Sequence, residues 1–316
     1  MVATKNTKKN GMKSERVKEA AQCYAMIATQ IIGFFTLSIY PIIWTFRWCT
    51  YYYNRIPSAT RFVGFQNFIT LFTKDPSYWQ GWITTFQFSL LKIPIEIPLA
   101  LLLAVLLARK GIKGRSFFRS MYYMPCVISA AIIGLVFSSL FDSQGIINNW
   151  LFQLGLIEKK TGIGWFSSKA TSMGVLVGAS IWNTFGTNVV YFIAALSNVD
   201  ESLYESATLD GANKWQSFWH ITLPGIAPVF QTILMLSIIG TLGTNDFVIM
   251  MTGGAPGGQT HTVMSYMTTK YTPGFADTTT PNIGYGSAAS IVTAIIFASV
   301  SIAYNKLSGK MNTVND

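Results

Sequence analysis

Charge is what this sequence has least of. Only 11% of its 316 residues are Asp, Glu, Lys or Arg, while 50% are hydrophobic; a soluble domain would carry about twice that share of charge. Histidine occurs twice, as His220 and His261, and cysteine three times, as Cys23, Cys49 and Cys126. The cysteines have neither framework nor metal-ligand spacing, so no disulfide or zinc role is indicated. An H-E-x-x-H pair is lacking, and so is a G-x-x-x-x-G-K-[ST] phosphate loop. Nucleotide hydrolysis and metal chemistry are therefore not expected of this chain, and no cofactor is expected in it.

What the sequence does have is long apolar runs. Six are long enough to cross roughly 30 Å of hydrocarbon as helices, at about 22–49, 82–108, 119–141, 172–197, 224–251 and 285–305. They predict an all-α polytopic membrane protein. The basic opening, "MVATKNTKKNGMKSERVKEAA", resembles a signal-peptide n-region. The apolar segment after it is too long for one and has no A-x-A-like end, so an uncleaved first span is expected. The net charge of +10 points to a membrane rather than to nucleic acid, because of where it sits. With the N-terminus inside, the inner segments hold Lys5, Lys8, Lys9, Lys13, Arg16, Lys18, Arg109, Lys110, Lys113, Arg115, Arg119, Lys214, Lys306 and Lys310, twice as many as the outer loops. The positive-inside bias places both termini in the cytoplasm. The expected organisation is a basic segment 1–21, a first helix and outer loop 22–81, a five-helix core 82–305 with a cytoplasmic loop at 198–223, and a tail 306–316. No loop exceeds about 30 residues, too little for a soluble domain.

One polar island interrupts the apolar pattern: "ESLYESATLDGANKWQSFWHITLP", residues 201–224. "SLYE" offers a capping box, with Ser202 as N-cap and Glu205 reaching back. The resulting two-turn helix should end near Leu209, where Gly211 can adopt a left-handed conformation. "NKWQ" repeats the pattern with Asn213 and Gln216. Trp215, Phe218, Trp219 and Ile221 give the second helix an apolar face, and Pro224 suits the first turn of the fifth span. On local structure alone, an ordinary interfacial loop fits equally well.

The stretch "ESATLDGANKWQSFWHITLP" closely resembles the E-A-A motif of ABC importer permeases in its sugar-transporter form, E-A-A-x-x-D-G-A-x8-I-x-L-P. Glu205, Ala207, Asp210, Gly211, Ala212, Ile221, Leu223 and Pro224 fall in register, and Ser206 replaces one alanine by another small residue. The basic "GRSFFR" turn, "GIINNWL", "TGGAPGGQT" and "GYGSAASIVTAII" are also similar to segments of carbohydrate permeases, so the resemblance covers about residues 80–305. It implies the first permease of a binding-protein-dependent, maltose-type importer: a type I ABC importer permease fold in the bacterial cytoplasmic membrane. The resemblance makes Ser202, Leu203, Glu205, Ser206, Ala207, Asp210, Gly211 and Ala212 the helix that docks on an ATPase. It implies as partners a second, similar permease, two ATPase chains carrying ATP and Mg, an extracytoplasmic sugar-binding protein and a carbohydrate.

A pathway through lipid needs polar side chains turned inward. Span four carries Ser180, Asn183, Thr184, Thr187 and Tyr191 on one helical face, and span five carries Ser237, Thr241, Thr244 and Asn245, with Asp246 beside them. Hydroxyls, amides and nearby aromatics such as Trp182 and Phe185 suit a sugar, and the resemblance places the sugar site at these positions. Small polar residues also pack helices, so the pathway reading rests on two stripes together. Lys92 and Glu96, four residues apart in span two, can pair along the helix. With Asp246 they supply the alternative, an ion-coupled secondary transporter of a small polar solute working alone.

Overall fold

The computed structural model of the protein describes residue 20 and residues 22–108, 114–158, 162–271 and 282–312. Most of the basic N-terminal segment, with Arg109, Lys110 and Lys113, lies outside the described residues. The chain is built from helices: α1 (Gln22–Trp48), α2 (Gln66–Thr73), α3 (Pro76–Ala108), α4 (Arg115–Val127), α5 (Ala130–Leu140), α6 (Ile146–Gln153), α7 (Lys169–Leu196), α8 (Glu201–Leu209), α9 (Lys214–Leu242), α10 (Val263–Tyr271) and α11 (Ile283–Asn312). A two-residue antiparallel ladder, β1 (Tyr51–Tyr52) on β2 (Arg61–Phe62), pairs Tyr51 with Phe62 and follows α1.

Among the described residues, α1, α3, α9 and α11 are long and apolar enough to cross a membrane, and α4 with α5 form a further candidate bent by 93°. Helix α7 has the length, at 28 residues, but its polar stripe keeps it out of that set. Two of the six expected spans are therefore not continuous. The third breaks at Ile128 and Ser129, whose backbones are extended. The run Val127-Ile128 is β-branched and Pro125 lacks an N–H, so helix continuation is weak there. The carboxamide of Asn183 on α7 donates to the carbonyls of Pro125 (2.8 Å) and Ile128 (3.4 Å), supplying partners that a break within lipid must find. The fifth ends at Leu242 rather than 251, because Gly240 and Gly243 weaken the helix. The freed carbonyl of Thr244 accepts a hydrogen bond from Thr262 Oγ1 at 2.7 Å. A π-helical turn at Val248–Thr252 follows.

Helix α3 is the hub. Its C-terminal half packs Ile97, Ala100, Leu101 and Ala104 with Val189, Phe192 and Ile193 of α7 and Ile226 and Ile233 of α9. Its N-terminal half sets Phe88 against Ile133, Leu176, Val248 and Met251. Tyr78 and Trp82, near its start, join Leu71, Val263, Tyr285 and Ala289 in a third cluster. Ala100, Ala104 and Ala179 are fully buried, which lets α3 and α7 run close together. Gly186 brings α7 against α4: a Cβ there would overlap the carbonyl of Tyr122 and lie 3.1 Å from Cys126 Sγ.

Candidate functional site

Between the two apolar clusters on the halves of α3 lies a polar layer at its middle. The Lys92 ammonium sits 3.4 Å from Glu96 Oε2, with both side chains buried. Such a pair is tolerated in hydrocarbon only if its remaining hydrogen-bonding capacity is met. Lys92 Nζ also donates to Thr241 Oγ1 (3.3 Å). Glu96 Oε1 accepts from Thr184 Oγ1 (2.6 Å) and from Asn188 Nδ2 (2.8 Å). Asn188 further approaches Ser237 Oγ at 3.5 Å. One buried pair thus ties α3 to α7 and α9.

The layer forms the wall of a cavity of about 460 Å3. Ser180, Thr184, Thr187 and Tyr191 of α7 line it, as do Ser237, Thr241, Thr244 and Asn245 on the α9 side. Asn183 does not: its amide is held at the α4–α5 break. Its position on the stripe was visible in the sequence, but the break that claims it was not. Trp182 packs against Phe137 (5.7 Å between ring centroids) and Phe185 against Tyr122 (6.2 Å), so neither aromatic lines the cavity. Four polar lining residues stand outside the set chosen from the sequence: Lys92, Glu96, Asn188 and Asp246. Asn188 was within reach, because it lies one helical turn beyond Thr184. A smaller cavity of about 310 Å3 shares Thr187 and Tyr191 with the first and is also lined by Arg119, Ser120, Tyr123 and Val190.

The polar island forms the second surface. Helix α8 starts at Glu201, and its N-cap is Asp200 rather than Ser202: the Asp200 carboxylate accepts the Ser202 N–H at 2.9 Å. A charged acceptor at a helix N-terminus gains from the dipole as well as from the bond. The Ser202 backbone N–H bond, with a lesser side-chain contribution from Ser202, holds the Asp200 carboxyl below its ordinary value. This cap is therefore fully present above the ordinary carboxylate range and is lost as pH falls through that lowered value.

At the other end of α8, Gly211 has φ +80°. Its N–H bonds Thr208 O (3.1 Å) and the Ala212 N–H bonds Ala207 O (2.9 Å), the Schellman pattern. Asn213 and Gln216 form the expected reciprocal capping box. From there one helix runs on through a π-helical turn, Phe218–Thr222, into the long apolar part of α9, so Pro224 lies inside a continuous helix. The Tyr204 hydroxyl meets Thr222 Oγ1 at 2.9 Å and ties α8 to α9. Ala207, Asp210, Gly211 and Ala212 line a concavity of about 280 Å3 with Gln216, Ser217, His220 and Ile221. Glu205 and Ser206 are exposed, as are Leu203, Leu209, Trp215 and Trp219, an unusually apolar surface for a loop.

Comparison with known proteins agrees with this architecture. The chain is 31% identical over 305 residues to the arabinooligosaccharides transport system permease protein AraP of Bacillus subtilis (strain 168), covering 96% of this chain and 93% of the relative. It is 32% identical over 246 residues to the lactose transport system permease protein LacF of Rhizobium radiobacter, covering 76% and 79% of the two chains. In fold it matches a chain of a bacterial ABC transporter involved in import of the acidic polysaccharide alginate, with a TM-score of 0.79 at 23% identity, over 95% of this chain and 99% of that one. Residues 97–313 match the family described as binding-protein-dependent transport system inner membrane component. The chain belongs to that family, and is a multi-pass inner-membrane permease component.

Proposed function

We propose that this chain is the translocation subunit of an ATP-driven importer for a carbohydrate, an oligosaccharide rather than a single sugar. The observation that carries this reading is the 460 Å3 cavity lined by hydroxyls and amides of α7 and α9, within the roughly 300–1,000 Å3 range of small-molecule sites. The names of the relatives, arabinooligosaccharide and lactose permeases, support the same substrate class. In this reading α7 is a sixth membrane crossing, and a second, similar permease completes the pathway. One of two ATPase chains engages the α8 surface through Ala207, Asp210 and Gly211. An external sugar-binding protein delivers the substrate, and ATP with Mg resides on the ATPases.

Transport has three steps. ATP-driven closure of the ATPases moves α8. Helix α9, joined to α8 through Tyr204 and Thr222, carries that movement to the cavity wall. The sugar, released from its binding protein, then exchanges water for hydrogen bonds to Thr187, Ser237, Thr241 and Thr244.

Two results test this. Uptake by cells holding constant ATP should survive an uncoupler that collapses the proton gradient; abolished uptake would instead favour the ion-coupled alternative built on Lys92, Glu96 and Asp246. Thr187→Val and Thr244→Val each leave a sugar hydroxyl without a partner, a loss of about 1–3 kcal/mol. They should reduce uptake efficiency at low sugar by roughly 5- to 150-fold while the complex still assembles and retains basal ATPase activity. Unchanged uptake in both variants would remove the cavity from the pathway.

A further inference from the structure

On the reading that the cavity takes a carbohydrate, we propose that Lys92, Glu96 and Asp246 select among carbohydrates by charge, admitting uncharged sugars and rejecting acidic ones. The cavity wall carries one ammonium, Lys92, and two carboxylates, Glu96 and Asp246. The ammonium has no unshared charge to offer: Glu96 Oε2 lies 3.4 Å from it and Thr241 Oγ1 3.3 Å. Glu96 Oε2 has no hydrogen-bond donor of its own and depends on Lys92 for its compensation. Asp246 is exposed and accepts a hydrogen bond from the Asn245 amide at 3.4 Å. The next cation along the wall, Arg119, lines the adjoining cavity beyond Thr187 and Tyr191.

The ion pair also sets the polarity of the neutral lining. Both N–H directions of Asn188 are directed into the protein, to Glu96 Oε1 and Ser237 Oγ, which leaves its carbonyl oxygen as the remaining acceptor. The single Thr184 proton is held within the protein, between Glu96 Oε1 at 2.6 Å and the Ser180 carbonyl at 2.9 Å, which leaves that hydroxyl accepting as well. A sugar hydroxyl can donate to such acceptors. A sugar carboxylate, which only accepts, meets these acceptors and the surplus negative charge of Asp246. Lys92 and Glu96 are thus positioning residues, and the specificity arises from what they leave facing the substrate.

The test uses the complete importer in nanodiscs without its binding protein. It measures equilibrium binding of radiolabelled maltotriose and arabinotriose against trigalacturonate at millimolar concentration. The wild type should favour the neutral probes by at least ~10-fold. Glu96→Gln leaves Lys92 unshared and should shift that ratio toward trigalacturonate by about tenfold, whereas the double variant Lys92→Gln, Glu96→Gln should return it toward the wild-type value. Asp246→Asn removes the surplus charge at an exposed position with no buried partner to orphan, and should raise trigalacturonate affinity severalfold. It carries the test should Glu96→Gln fail to assemble. Equal wild-type binding of neutral and acidic probes, or a ratio unmoved in the Asp246 and Glu96 variants, overturns the charge selection alone. Binding of none of the three probes to the assembled wild type would remove the carbohydrate reading, and this inference with it.

Discussion

Gly211→Asp is expected to leave the chain inserted in the membrane but to disconnect uptake from ATP hydrolysis. Gly211 closes α8 in the left-handed conformation, at φ +80°, on the concave face that the ATPase is proposed to grip. A Cβ built there meets nothing within 4 Å, so the cost inside the chain is the backbone strain of a side chain at positive φ, which Asp and Asn share. The damage beyond that strain should fall on the docking surface, where a desolvated, unpaired carboxylate costs about 1–3 kcal/mol. That is roughly a 5- to 150-fold weaker hold on the ATPase. Glu205→Ala, on the exposed face of α8, should act in the same direction. Gly211→Asn provides the contrast, because asparagine tolerates positive φ and adds no charge; it should retain most of the coupling. Wild-type uptake together with wild-type recovery of co-purifying ATPase in Gly211→Asp would separate α8 from the motor.

Gly186→Leu should be as severe, by a different route. Even the first carbon of a side chain at this position would overlap the Tyr122 carbonyl, and Cys126 leaves no space beside it. Forcing α4 from α7 also pulls the Asn183 amide away from the carbonyls of Pro125 and Ile128. Overpacking of this kind costs about 1–3 kcal/mol or more, which corresponds to a fall of roughly 2–5 °C in the melting temperature of the solubilised protein at this chain length. Gly186→Ala should show most of that loss. Gly178→Ala, on the same helix but with nothing within 4 Å of the added carbon, should be neutral. Equal melting temperatures for the Gly186 and Gly178 variants would contradict the close crossing.

The parts of the molecule legible in sequence were those written in local periodicity. Lengths of apolar runs marked α1, α3 and α11, and the Asn213–Gln216 box and Gly211 marked the turn between α8 and α9. What remained hidden depends on partners distant in sequence. Ser202 looked like a cap because the motif counts residues, yet the helix begins one residue earlier, at Glu201, and the Asp200 carboxylate caps it by accepting the Ser202 N–H. Asn183 carries the right residue type at the right helical phase for the cavity, but a broken helix 55 to 58 residues earlier takes its amide. Lys92 and Glu96 were readable as a pair, whereas their bonds to Thr184, Asn188 and Thr241 span 88 to 149 residues and leave no mark in local sequence.

The continuity of α9 has a mechanical consequence. Its 29 residues form a rod of about 43 Å at 1.5 Å per residue, with Lys214 at one end and Thr241 beside the cavity at the other. Rotating such a rod by ~10° about its Lys214 end carries the far end through roughly 7 Å, more than the width of a sugar ring. A lever of this length needs only a small angular input to open or close a site of this size. Its compliance is concentrated at the π-helical turn Phe218–Thr222 and at Pro228, where the backbone ladder is irregular. The stiffness of that short stretch, more than any contact in the cavity, would then set how much of each motor stroke arrives at the substrate.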